Sequence, residues 1–114
     1  MKPTEEQLKW FLEQCGFEHR YLNTWLFPDG TYGKVPDIDS LEFLGFMFKY
    51  AVPKIISEDS QGGVEFRFYP SGTHCIITMQ DEAGFNEEEY FLEGEWNTAL
   101  ALFWACFKAF GGKE

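Results

Sequence analysis

The sequence predicts an α+β fold, an antiparallel sheet of about three strands packed with three helices in a single domain over residues 1–114. Three observations predict it. Apolar residues recur at helical spacing near 4–15, 39–52 and 98–110. Strict alternation marks a hairpin over 64–80, and a third strand follows near 88–96. Helices and strands are segregated along the chain rather than alternating, which favours an antiparallel sheet. Because apolar-faced helices both precede and follow the strands, an α-β-α sandwich is one layering open to them.

The first helix is signalled by Thr4 as N-cap and Gln7 three residues on, a capping box. Glu5 and Glu6 favour its first turn, Leu8, Phe11, Leu12 and Cys15 make its stripe, and Gly16 is its expected stop. Residues 17–36 read as irregular or extended, with a short strand in 21–27 and a turn at Pro28-Asp29-Gly30. His19-Arg20 reads as a solvated loop. The second helix starts at Asp39 as cap, with Glu42 at the matching capping-box place, and Pro53 ends or kinks it. A polar loop over 57–63 leads into the hairpin.

In the hairpin, Val64, Phe66 and Phe68 alternate with Glu65 and Arg67 before a turn at Pro70-Ser71-Gly72. On the return strand Cys75, Ile77 and Met79 share one face and His74, Ile76, Thr78 and Gln80 the other, a mix that suits a strand covered on both sides. Asp81-Glu82-Ala83-Gly84 is a turn. Asn97 caps the last helix and Gly111-Gly112 ends it; Lys108 is its sole charge, so it should be the most buried element.

Composition limits the functional classes. Nineteen acids against nine bases give a formal net charge of -10, and no two bases are adjacent. A basic patch able to neutralise phosphates is not visible, which disfavours direct nucleic-acid or anionic-membrane binding. The apolar run 99–107 is too short to span a bilayer, and Lys2-Pro3-Thr4-Glu5-Glu6 does not read as a signal peptide. Cys15, Cys75 and Cys106 are odd in number and widely spaced, so they fit core thiols in a reducing cytoplasm rather than disulfides or zinc ligands.

No catalytic motif is present, and neither a metal nor a cofactor is expected. Asp37 and Asp39, with Asp29 upstream, are too few for a cation site, and Asp39 has a capping role to fill. His74 and Cys75 are neighbours on a strand and so point to opposite faces, which rules them out as a base–nucleophile pair. The strongest non-random feature is acidic. Asp81, Glu82, Glu87, Glu88, Glu89, Glu93 and Glu95 fall within 81–95 with no base among them. Repelling carboxylates on a sheet edge discourage edge-to-edge pairing. The alternative, functional reading is a surface that imitates nucleic-acid phosphates and occupies a basic groove. Trp10, Trp25, Phe27, Tyr32, Trp96 and Trp104 exceed what a small core easily encloses, which suggests an aromatic interface as well as core packing.

The Leu8-Lys9-Trp10 helix is followed by Gly16-Phe17, Trp25-Leu26-Phe27-Pro28-Asp29-Gly30 and Pro36-Asp37-Ile38-Asp39. Then come an amphipathic helix, a hairpin and an Ala-rich closing helix from Thr98-Ala99-Leu100-Ala101-Leu102. This order, over most of the chain, resembles the small phage proteins described as the phage ABA sandwich domain. The resemblance implies an α-β-α layered fold and a phage or prophage origin, and it carries no catalytic residues. Tyr50-Ala51-Val52-Pro53 and the aromatic load depart from it.

The expectation is therefore a non-enzymatic phage or prophage accessory protein in the cytoplasm of a bacterial host. It would act by binding a protein with a basic surface, in its sharpest form as an anti-CRISPR-like inhibitor of a nucleic-acid-handling defence enzyme. Two other classes stay open. One is a small-nucleotide-binding or sequestering module that gathers Arg20, Lys34 or Arg67 in a pocket. The other is a self-associating structural protein, such as a homodimer.

Overall fold

A computed structural model describes residues 2–56, 63–81, 84–93 and 97–113, with the backbone alone at 79–81 and 84–93. Helix α1 (Glu5–Gln14) begins where the Thr4 hydroxyl accepts from the Gln7 N–H and the Gln7 side chain accepts from the Thr4 N–H, the expected capping box. It ends in a Schellman motif. Gly16 takes φ 96°, its N–H reaches the Glu13 carbonyl, and the Phe17 N–H reaches the Leu12 carbonyl. Leu12 and Phe17 are both buried, so the motif also turns the chain into the core.

A small meander follows: β1 (Glu18–Tyr21), β2 (Thr24–Leu26) and β3 (Tyr32–Gly33), paired antiparallel in that order. The single short strand expected in 21–27 is thus two strands. Leu22, at φ 51°, turns the chain between them, and a lone leucine carries no sequence signal for that conformation. His19 and Arg20 lie on β1 rather than in a loop. The expected turn at Pro28-Asp29-Gly30 forms, and the Asp29 carboxylate accepts from both the N–H and the hydroxyl of Thr31.

Helix α2 (Leu41–Tyr50) is capped by Ser40, whose hydroxyl accepts from the Phe43 N–H. Asp39, the expected cap, lies one residue too early and pairs with Lys2 at 3.0 Å instead. The helix breaks at Ala51. Pro53 sits at the second position of a one-turn helix, α3 (Val52–Ile55), where its missing N–H costs nothing. The polar loop expected at 57–63 lies outside the described residues up to 62.

The larger sheet has the order β4 (Gly63–Tyr69), β5 (Gly72–Asp81), β6 (Gly84–Glu93), all antiparallel. The expected turn at Pro70-Ser71-Gly72 joins β4 to β5, Tyr69 pairing with Gly72. Asp81 pairs with Gly84, so β5 and β6 form a second hairpin where the sequence predicts a turn and a separate strand, with residues 82–83 outside the described residues. The third strand starts at Gly84, earlier than 88, because the two-residue connection lets pairing begin at once. Strand β5 is central. Cys75 and Ile77 are fully buried on one face, and Ile76 is 7% exposed on the other.

Helix α4 (Thr98–Ala109) is the hub. Asn97 caps it by accepting from the Leu100 N–H, and Gly111 and Gly112 close it with a second Schellman motif. Residues 99–107 are all buried, whichever way they face. Phe103 packs on Phe11 of α1 (ring centroids 4.6 Å apart) and on Phe43 of α2, while β5 and β6 lie against the same helix. Burying each large apolar side chain contributes about 1.5–3 kcal/mol. Val64, Phe66, Cys75 and Ile77 join this core, whereas Glu65, Arg67 and Tyr69 on the alternate positions are exposed. Among the described residues the layers therefore run sheet, α4, then α1 with α2. The helix, not the sheet, is in the middle, because α4 is the one element apolar on every side.

Candidate functional site

Two places could carry function, the acidic run and a cleft at the opposite side of the sequence. In the run, Asp81 ends β5, and Glu87, Glu88, Glu89 and Glu93 lie on β6, an edge strand of the sheet. Glu82 and Glu95 lie outside the described residues. Glu87 registers with Thr78, Glu89 with Ile76 and Glu93 with Gly72, while Glu88 registers with Ile77. Positions 87, 89 and 93 thus share one strand parity and 88 has the other. Four of the acids thus lie on one edge strand, interrupted at residues 90–92, and they occupy both strand parities.

The cleft, of about 760 Å³, opens between the start of α1, the β1–β2 turn and residues 34–38. Leu8, Leu12, Val35 and Ile38 give it an apolar floor. Trp25 and His19 are cross-strand partners with ring centroids 4.9 Å apart. His19 Nε2 is 2.6 Å from the Leu22 carbonyl oxygen, which fixes the ring against the turn. Lys9 from α1 and Lys34 from the segment after β3 add two ammonium groups, and Glu5 and Asp37 two carboxylates. Among the described residues neither lysine is in an ion pair. An indole beside two cations over an apolar floor suits a small ligand with a flat ring and an anionic group.

Sequence reasoning had named Lys34 as a pocket cation, and it lines the cleft. The other two named bases do not. Arg20 pairs with Glu18 and Arg67 with Glu65, each at 2.7 Å and exposed. Lys9 and His19 were missed as cleft residues, and Trp25 was singled out only as a surplus aromatic for core packing or an interface. The six-residue spacing of His19 and Trp25 becomes a contact only through the Leu22-Asn23 turn, which nothing in the composition announces.

The thiols are sealed in the core. Burial pushes Cys15 and Cys75 up to about 12, and pushes Cys106 well above the ordinary range. Such thiols are protonated and poor nucleophiles. The expected opposition of His74 and Cys75 holds: Cys75 is fully buried on the helix side, and His74 is half-buried on the alternate side. Asp39 is held below the usual carboxylate range by Lys2, and Asp29 by Thr31, so both carboxylates already have partners. Among the described residues no group of His, Cys, Asp and Glu is placed to hold a metal ion. No described helix is long and apolar enough to cross a membrane.

The fold and these two places define an α+β protein with an acidic sheet edge and a mixed-charge cleft. No family model, curated protein or solved structure matches the chain.

Proposed function

We propose that this chain is a non-enzymatic binding protein that presents the acidic edge of its larger sheet to a partner protein with a basic surface. The observation that carries this reading is that Glu87, Glu88, Glu89 and Glu93 all fall on β6, which among the described residues is a terminal strand of the sheet. The formal net charge of -10 adds long-range attraction toward a basic partner. In its finer form the proposal is a phage or prophage accessory protein in a bacterial cytoplasm that occupies the nucleic-acid groove of a defence enzyme. The test is a pull-down comparing the native chain with Glu87→Lys/Glu88→Lys/Glu89→Lys, with circular dichroism to check that both are folded. The native chain should retain a partner that the folded variant loses, and binding should weaken as salt rises. Retention of the same partner by the folded variant would defeat the reading.

The cleft supports a second reading, a module that binds or sequesters a small nucleotide. A base would lie against Trp25 and a phosphate between Lys9 and Lys34. Nucleoside phosphates at millimolar concentration should raise the melting temperature, and Lys9→Ala/Lys34→Ala should abolish the shift. No shift in the native chain would count decisively against it.

A further inference from the structure

The two edges of the larger sheet differ in charge pattern, and that difference predicts what each does. Strand β4 is the edge opposite β6. Its hairpin closes at Tyr69–Gly72 around two residues. A two-residue turn makes the closing pair hydrogen-bonded, and bonding then alternates. So Arg67 and Glu65 bond to β5, while the backbone N–H and C=O groups of Val64, Phe66 and Phe68 face outward. The second hairpin, closed at Asp81–Gly84, gives the same parity. Among the described residues no strand lies beyond β4, so its outer edge turns the backbone donors and acceptors of Val64 and Phe66 away from the sheet.

We propose that this edge is the interface of a homodimer, in which two copies pair antiparallel through β4 about a two-fold axis at Phe66. The sequence Val64-Glu65-Phe66-Arg67-Phe68 is self-complementary about its centre. Phe66 meets Phe66 of the partner subunit at a hydrogen-bonded pair, and Val64 meets the partner's Phe68. Glu65 meets the partner's Arg67, and Arg67 the partner's Glu65, at the non-hydrogen-bonded pairs where side chains approach most closely. Each ion pair exchanges the exposed in-strand contact of Arg67 with Glu65, now 2.7 Å, for a cross-strand one. The apolar side has surface to bury: Phe68 is 56% exposed, and Phe48, stacked edge-on near Phe66, is 46% exposed. The same operation on β6 about position 88 sets Glu87 against Glu89 and Glu88 against itself, so like charges exclude it. The dimer is a six-stranded sheet with the two acidic β6 strands at its outer ends, and it stands whether or not β6 binds a partner.

Sedimentation equilibrium on the native chain up to about 1 mM tests this. The expected mass is twice the 13.3 kDa of one chain. Glu65→Arg and Arg67→Glu each place like charges across the axis, so each variant alone should be monomeric. Mixing them restores both ion pairs and should restore the dimer mass, as should the double swap Glu65→Arg/Arg67→Glu in one chain. Circular dichroism confirms that the single variants are folded. A monomeric native chain would overturn the proposal. So would single variants that dimerise as the native chain does, or a mixture that stays monomeric.

Discussion

Cys106 sits midway along α4, within electrostatic reach of Cys15 at the end of α1 and Cys75 on β5. Each thiol is buried, and desolvation is the largest cause of its raised pKa. On unfolding, a thiol returns toward its ordinary value of 9.0, whereas in the folded chain Cys15 and Cys75 hold their protons to about 12. Between those values the unfolded chain loses protons that the folded chain keeps. The stability that these buried thiols contribute is therefore fully present below pH 9.0 and falls as pH rises toward 12. Urea unfolding from neutral pH to about pH 11 should show this decline, and Cys15→Ala should make it shallower by the share of one thiol, Cys75 and Cys106 keeping theirs. A thiol reagent at neutral pH should label the native chain only as fast as it unfolds.

The caps and cores of the helices make sharper demands. Asn97 starts α4 and also donates from Nδ2 to the Asp39 carbonyl at 2.8 Å, tying that helix to the approach of α2. Asn97→Ala should cost roughly 1–2 kcal/mol in chemical denaturation. Leu102, fully buried in α4, and Leu41, 84% exposed on α2, form a matched pair. Leu102→Ala should cost roughly 2–5 kcal/mol and Leu41→Ala less than about 0.5 kcal/mol. Equal losses would mean that α4 is not the hub. The capping box of Thr4 and Gln7, the Asn97 cap and the glycine stops were legible in the sequence because each is local, settled within four or five residues. The choice between Asp39 and Ser40 was not. Both are good caps, and the start of α2 was fixed by where Phe43, Phe46 and Met47 meet the core.

For the whole molecule, charge is the dominant long-range term. A net charge of -10 on 114 residues means that compaction works against self-repulsion. The melting temperature should rise when salt is increased from near zero to physiological strength, as screening shortens that repulsion. The same salt should weaken capture of a basic partner at β6. A melting temperature indifferent to salt would show that the acids are spaced widely enough not to interact.

Periodicity and turn chemistry in the sequence determined the α+β class, the three main helices, the 64–80 hairpin and the burial of α4, since each of these is written at spacings of two to four residues. The acid run was equally visible as a run. Tertiary structure alone decided the rest. Strand pairing divides the acids between two parities along one edge, and it leaves the charge-balanced β4 at the other edge. The β1–β2 turn brings His19 to Trp25, and the path of the chain sets Lys9 and Lys34 around the same cleft. Those juxtapositions join residues that are distant in sequence, and contact between them depends on how the elements pack, which no local pattern encodes.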